Sequence, residues 1–600
     1  MPPTSQFQPS RYQQAIFDFI TQGTGNAVIE AVAGSGKSTT ILQAQALIPR
    51  AASVAFLAFN KDIATVLNDR LRAMGCTNAE AMTLNAMGNR SWCKFKGVGR
   101  NNVDGNKLNV LARGYRDELQ AQARQTVDSK IEEEANYVKQ FLYMITNLVR
   151  KAKVNGMAPQ DVPGVIGLIA DTDEEWEKLI EHYGLEFAEG HRSDHRAIKA
   201  ARVILRRSVA DHDTIDFDDQ FYLPLIYNAP FTKYDWVFID EAQDVSDIQR
   251  EILTRVMKPA SRLVAVGDPF QSIYGFRGAN PESLNLITQR FNATCLPLSI
   301  SYRCSKEVVK FAKDIVPHIE PSDTAVQGSV TDLGEKFDLR AFKADDMILC
   351  RNTAPLVSLA YELISQRIPC LVKGRDIGQG LIKLVDKLKA VSMDALRKKL
   401  DIWEQEEVQR LLKKDEDANT DIITDKADSL RVFVDSSKAK SAEELKNEIR
   451  TMFRMYTGAD EWKNDRDDKT PEDILTLSTI HKAKGLEAPR VFILNWFLMP
   501  SKYAKKEWEK IQEANLQYVA VTRAKRDLVF IDRKKKKEGT EENSAYVTAK
   551  RASSGAPRLG RETSGGEHAQ DSIDREIEEL FEKTKSENLA DLQVHLGEDD

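Results

Sequence analysis

Residues 31–38 read AVAGSGKS, and they follow the short apolar run Ala27 to Ile29. A buried strand running into a glycine-bearing turn and then a helix forms a cradle for phosphate, because the backbone N–H groups of the turn and the helix N-terminus all face one anionic group. In that pattern Ala33, Gly34, Ser35, Gly36 and Thr39 line the cradle, the Lys37 ammonium reaches the β- and γ-phosphates, and the Ser38 hydroxyl holds Mg²⁺. Ala31 stands where the pattern usually begins with glycine. Further along, DWVFIDEAQD places Asp240 and Glu241 directly after four apolar or aromatic residues, so two carboxylates end a strand. There Asp240 suits a Mg²⁺ ion held through its water shell, and Glu241 suits a general base that polarises an attacking water. Together the two segments point to nucleotide hydrolysis. By itself the cradle leaves kinases, GTPases and transporter ATPases open.

Such residues must be carried by a framework, and apolar periodicity supplies it. From residue 27 to 92 strand-like runs (AVIEA, SVAFLAF) alternate with helical stretches, the pattern of a parallel α/β sheet. Long charged helical segments interrupt it, and strand-like runs return at WVFID (236–240) and RLVAVGD (262–268). A second α/β region begins near Leu298, breaks off near Gly374 into charged helical sequence, and resumes with ILTLSTI, VFILNWF and LVFID. The expected organisation is α/β, two domains with parallel sheets, each interrupted by a mainly helical insertion. The first domain takes residues 1–95 and 209–297 around an insertion at 96–208. The second takes 298–375 and 471–532 around an insertion at 376–470. Residues 533–600 form a flexible tail whose Ile573, Ile577, Leu580 and Phe581 share one helical face, a candidate partner-binding helix.

Six hundred residues with 42% hydrophobic and 29% charged side chains exceed one core and suit several soluble units. No apolar run is long enough to span a bilayer and the N-terminus lacks the features of a signal peptide, so a cytoplasmic protein with no membrane partner is expected. Six scattered cysteines without a CxxC pair argue against zinc ribbons, iron–sulfur clusters and disulfide frameworks. Net charge is −6, yet residues 571–600 hold eleven acidic against three basic side chains, which leaves +2 for residues 1–570. A basic groove for nucleic acid is compatible with that balance.

The segment VGDPFQSIYGFRG (266–278) resembles motif III of superfamily 1 DNA helicases of the UvrD/Rep/PcrA type, and other motifs of that family then fall into chain order. PSRYQ (9–13) resembles the adenine-reading Q motif, LAFNKDIATVLNDRL motif Ia, and TLNAMGNR the segment after it. TIDFDDQ (214–220) is similar to the segment before the DExx box, SYRCS (301–305) to motif IV, LTLSTIHKAKGLE (475–487) to motif V, and YVAVTRAKRDL (518–528) to motif VI. The resemblance covers roughly residues 9 to 531 and implies two RecA-like P-loop NTPase domains that use ATP and Mg²⁺. It implies that Gln13, with Gln14 the alternative, reads adenine, that Tyr302 stacks on it, and that Glu487 contacts the nucleotide. Gln271 would sense the γ-phosphate, and Arg303 and Arg523 would reach it as arginine fingers from the second domain. For DNA the implied contacts are Phe59, Asn60, Thr83, Asn85, Tyr274, Phe276, Arg277, Thr479 and His481, with Tyr274 and Phe276 as stacking platforms. Asn85 stands where the family has His, Phe276 where Trp is commoner, and AFNK lacks the second Thr of TFTNK. The implied activity is an ATP-dependent single-stranded DNA translocase and helicase, 3′ to 5′, acting at duplex junctions in DNA repair, replication or recombination. The alternative is a remodeller that strips proteins from single strands or drives a larger repair, recombination or defence complex.

Overall fold

The computed structural model describes residues 8–533 apart from 184, 186, 188–190, 276–281, 391, 413–419, 454–473, 503 and 505. Phe276, Arg277 and the tail beyond Arg533, with its candidate helix, lie outside the described residues.

Two six-stranded, wholly parallel sheets organise the chain. The first contains β1 (Ala27–Ala31), β2 (Val54–Ala58), β3 (Ala79–Thr83), β4 (Tyr234–Ile239), β5 (Met257–Gly267) and β6 (Thr294–Leu298), in the order β3-β2-β4-β5-β1-β6. The second contains β7 (Ser329–Gly334), β8 (Met347–Cys350), β9 (Cys370–Lys373), β10 (Leu475–Thr479), β11 (Ala488–Leu494) and β12 (Ala524–Ile531), in the order β7-β12-β11-β8-β10-β9. Each is a doubly covered sheet, so its strands read as near-continuous apolar runs rather than alternating ones.

Successive residues still point to opposite faces. Val28, Val237 and Leu263 join one core of the first sheet, while Ile29, Phe238 and Val264 join the other. The first core is shared with a helical insertion between β3 and β4, formed by helices Lys107–Thr126, Ser129–Val154, Asp173–Tyr183 and His191–Ala210. Phe141 and Trp176 from this insertion are buried in that shared core, so truncating either would cost about 3–5 kcal/mol. A polar latch adds directionality to that packing. The Lys153 ammonium lies 2.6 Å from Asp216 Oδ2 and from Asp219 Oδ1, and 2.8 Å from Ser208 Oγ. Lys107 donates to the other Asp219 oxygen (2.9 Å) and to the carbonyls of Ser208 and Asp211. Both buried ammoniums thus satisfy all three N–H donors, the condition under which a buried charge pair is tolerated. The two aspartates belong to TIDFDDQ, whose visible role is to fasten the insertion.

The second insertion lies between β9 and β10 as helices Arg375–Leu388, Met393–Leu412, Asp421–Ser436 and Ala442–Met452. It shares a core with the second sheet through Leu384, Leu430 and Phe433. Its Asp425 carboxylate accepts the Thr353 and Ala354 N–H groups at the start of helix Thr353–Ser365, supplying a cap from a distant segment. A further core lies between the two domains. Val32, Ala33 and Ile273 of the first pack with Cys304, Val309, Leu516 and Val519 of the second, which buries one side of the AVAGSGKS turn at the domain boundary.

Candidate nucleotide site and strand-binding face

The turn after β1 depends on two glycines with left-handed backbone, Gly34 (φ 72°) and Gly36 (φ 78°). Gly34 meets a second demand. A Cβ there would lie 2.4 Å from Arg303 Cβ and 3.0 Å from Ser301 Oγ, so only glycine lets the second domain approach this closely. Its carbonyl accepts the Tyr302 N–H at 2.9 Å, and the Ala33 N–H is taken by the Tyr518 hydroxyl at 2.9 Å. Ala33 therefore spends its donor on the partner domain rather than on the cradle. Ser35 Oγ is buried with no hydrogen-bond partner, an atom left for an incoming oxygen. Helix Lys37–Gln45 starts at Gly36, with Thr39 exposed on its first turn and Thr40 buried beneath.

Gln13 is also buried here, on helix Arg11–Gln22. Its side-chain oxygen accepts the Ser10 N–H (3.0 Å) in a capping box, and its amide donates to Thr40 Oγ1 (3.0 Å). One N–H of that amide remains for a ligand. The Gln14 amide turns instead to Asp18.

At the carboxyl edge of β4, Ser38 Oγ donates to Asp240 Oδ2 (3.0 Å) and Lys37 lies 3.7 Å from Glu241 Oε1. Glu241 holds left-handed backbone (φ 55°, ψ 41°), a strained state for a non-glycine residue that is typical of reactive positions. Burial and the neighbouring Glu241 charge push the Asp240 carboxyl up to about 6. Burial acts on Glu241 in the same sense, but Lys37, Lys484, the Gln243 amide and Arg523 outweigh it and hold that carboxyl down to about 2. Within this pair the cationic neighbours favour the ionised form of Glu241 beside the cradle. A hydroxyl and a carboxylate are hard oxygen donors, so Ser38 and Asp240 fit a Mg²⁺ ion. No group of three or more His, Cys, Asp or Glu that could hold a metal occurs among the described residues.

Behind the carboxylates, the Gln243 amide donates to Glu241 and its oxygen accepts the Asp268 N–H (3.0 Å). Gln271 donates to Asp268 Oδ2 at 2.5 Å. Lys484 reaches in from the second domain, 2.5 Å from Asp244 Oδ2 and 2.7 Å from the Gln271 carbonyl, with its ammonium 4.8 Å from the centre of the Tyr274 ring. Gln243, Asp268, Lys484 and Tyr518 were not among the residues expected from sequence. Each lies inside a segment that was, DEAQD, GDPFQ, HKAKGLE and YVAVTRA, and polar residues flanking the expected ones were the available signal.

The second domain contributes Tyr302, Arg303, Glu487 and Arg523. Tyr302 leaves 49% of its surface exposed beside Gly36, an open ring face at the mouth of the site. Arg303 pairs with Glu487 (2.7 Å), which also binds Lys525 (2.6 Å). Arg523 is only 1% exposed, donates to the Val519 and Leu486 carbonyls, and is lowered to about 10 by burial and Arg303. Lys37, Asp240, Glu241, Gln271, Arg303 and Arg523 thus line one boundary between domains.

The expected DNA contacts divide differently. Phe59 and Tyr274 stack with ring centres 5.8 Å apart and planes within 9°, and Phe59 is 44% exposed. Asn60 caps helix Lys61–Ala73 through the Ile63 N–H, Thr83 caps helix Leu84–Lys96 through the Ala86 N–H, and Asn85 holds the Phe217 carbonyl. Capping accounts for those first two residue types without any ligand. Thr479 is buried ahead of the turn Ile480–Ala483, and His481 within that turn is half-buried. Burial, Arg351 and Lys482 push the His481 imidazole down to about 3, so it is neutral at ordinary pH.

Residues 12–292 match the family described as UvrD/REP helicase N-terminal domain, and residues 378–535 match UvrD-like helicase C-terminal domain. Similar proteins include F-box DNA helicase protein 1 of Schizosaccharomyces pombe, 26% identical over 343 residues that make up 51% of this chain and 35% of that protein. ATP-dependent DNA helicase Rep of Escherichia coli is 26% identical over 332 residues, 51% of this chain and 43% of Rep. ATP-dependent DNA helicase PcrA of Leuconostoc citreum is 32% identical over 114 residues, 18% of this chain and 15% of PcrA. The chain therefore spans less than two thirds of the length of these relatives. No helix among the described residues is long and apolar enough to cross a membrane. The first match covers the first sheet domain with its insertion, the second covers the second insertion and strands β10 to β12, and the chain belongs to the UvrD/Rep family of superfamily 1 helicases.

Proposed function

We propose that this chain is an ATP-driven motor on single-stranded DNA that moves 3′ to 5′ and separates strands at duplex junctions inside the cell. The observation that carries the reading is the division of the site. The cradle, Lys37 and Glu241 stand on one domain, and Arg303, Glu487 and Arg523 stand on the other.

In this reading ATP enters beside Tyr302, whose exposed ring takes the base face, with the spare Gln13 N–H nearby. Its phosphates draw Lys37 away from Glu241 and satisfy the orphaned Ser35 hydroxyl. Ser38 and Asp240 would hold Mg²⁺, which would offset phosphate charge. Glu241, kept ionised by its cationic neighbours, then accepts a proton from the attacking water as the terminal P–O bond breaks. Arg303 exchanges Glu487 for the departing phosphoryl group, and Arg523 adds charge from behind, an effect worth roughly 10³ to 10⁵ in rate in other nucleotide hydrolases.

Lys484 connects this chemistry to the strand-binding face, because one ammonium touches Asp244 beside the base, the Gln271 carbonyl and the Tyr274 ring. A change at the γ-phosphate that moves Gln271 therefore moves the surface on which a base would stack. Opening and closing of the domains with alternating grip yields stepwise movement. Separating one stacked DNA step costs about 1.4 kcal/mol on average, a small load for one ATP.

The test is unwinding of duplexes carrying either a 3′ or a 5′ single-stranded tail. Preferential ATP-dependent separation of the 3′-tailed duplex is expected. Preference for the 5′ tail would overturn the direction, and ATP-independent behaviour on both would overturn the motor.

A further inference from the structure

Trp508 sits at the start of helix Glu507–Val521, outside every motif considered above, yet it lies against the strand-binding face. A Cβ on Gly275 would be 3.0 Å from Trp508 Cε3 and 3.3 Å from Cζ3, so this indole rests directly on the backbone next to Tyr274. The Gly275 N–H also donates to Gln512 Oε1 (3.1 Å), one turn further along the same helix. Trp508 is thereby fixed to the loop that carries the Tyr274 platform.

Its other neighbour comes from the first helical insertion. The His182 imidazole, at the end of helix Asp173–Tyr183, stacks on the indole with ring centres 6.2 Å apart and planes within 28°. Lys506 fastens that arrangement by donating to the Glu181 and His182 carbonyls. The indole Nε1 is buried without a hydrogen-bond partner, an unusual state for tryptophan. His182 is otherwise exposed, and Tyr183 beside it is held by Asn155 and Lys151. A small, exposed aromatic ring therefore neighbours a larger one at a tilt of 28°, close to the loop that carries Tyr274, and the larger ring keeps one N–H unspent.

We propose that Trp508 is a further base-stacking residue, and that the His182 imidazole beside its ring is a stand-in for a nucleobase. A strand entering past Tyr274 displaces the imidazole, and the base that replaces it gains a ring of greater area, while the indole N–H becomes available to a base carbonyl or a phosphate oxygen. Imidazole is smaller than any base, so the exchange favours DNA. The inference rests on the reading of this face as a single-strand site.

The experiment is binding of fluorescein-labelled oligo(dT) to the full chain and to three variants without nucleotide. Trp508→Ala is expected to weaken binding about tenfold, within the range of one base–aromatic stack, and Trp508→Phe to recover most of that loss. His182→Ala is expected to tighten binding several-fold, the opposite sign. A structural clasp would instead lose affinity on both alanine changes, so a His182→Ala variant that binds no tighter than the parent overturns the inference, as does a Trp508→Ala variant of parental affinity. Failure of the parent chain itself to bind oligo(dT) would defeat the motor reading.

Discussion

The Lys484 ammonium of the second domain lies 2.5 Å from the Asp244 carboxylate of the first, and both groups are almost fully removed from water. Burial pushes the Asp244 carboxyl up to about 6 and Lys484 opposes it, and the same Lys484 charge helps to hold the Glu241 carboxyl down. The same ammonium reaches the Gln271 carbonyl and the Tyr274 ring, so one group joins Asp244 to two residues expected from sequence.

Replacement of Lys484 by Met should cost about 3 kcal/mol of stability, because it strands a buried carboxylate, and should reduce stimulation of ATP turnover by DNA more than affinity for ATP. Lys484→Arg keeps the charge and should restore part of the stimulation. Turnover with and without oligo(dT), with KM for ATP recorded separately, measures both effects. Equal stimulation in parent and Met variant would remove Lys484 from the coupling route.

Gly34→Ala meets two obstacles, a left-handed φ of 72° and the Arg303 side chain 2.4 Å from the new methyl group. The variant should still bind ADP through the first domain but lose most turnover, since the arginines of the second domain are held away. Calorimetric ADP titration beside a steady-state ATPase assay separates the two steps. A parental kcat would show that close approach of Arg303 to the turn is unnecessary.

Lys153→Met should destabilise the chain by about 3–5 kcal/mol, because Asp216 and Asp219 lose a fully buried counter-charge. Urea denaturation followed by far-ultraviolet circular dichroism tests this. A change below about 1 kcal/mol would put the holding force of the first insertion in its apolar core instead.

His481 predicts a pH effect. Its folded-state pKa is pushed down to about 3, whereas an unfolded His titrates near 6.5. Between those values the unfolded chain binds more protons, so this residue's contribution is full above about pH 6.5 and is lost as pH falls toward 3. Asp240, Asp244 and Asp268, each pushed up to about 6 by burial, act in the opposite sense over the upper part of that range. The difference between parent and variant isolates the histidine. The gap in melting temperature between parent and His481→Gln should move in the variant's favour between pH 7.5 and pH 5, and a gap independent of pH would contradict the assignment.

Much of this arrangement was legible because it is local in the chain. AVAGSGKS encodes its own turn through Gly34 and Gly36, and Asp240 and Glu241 announce themselves at the end of an apolar run. Both insertions showed as breaks in strand periodicity. Other relationships depend on where distant segments meet. Nothing in HKAKGLE reveals that Lys484 crosses to Asp244, and nothing near Trp508 reveals His182, since each pair is joined only when two domains pack. Gln13, Asn60 and Thr83 teach a related lesson. Their types satisfy helix N-termini, so a local structural need and an expected ligand contact produce the same letters.

In the proposed function, ATP turnover and a single strand of DNA are read by one divided site. Steady-state ATP hydrolysis by the purified chain, measured with and without oligo(dT), tests it most directly. Turnover should be slow alone, rise greatly on adding the strand, and lose that increase in Lys37→Ala. Turnover that is the same with and without the strand would contradict it.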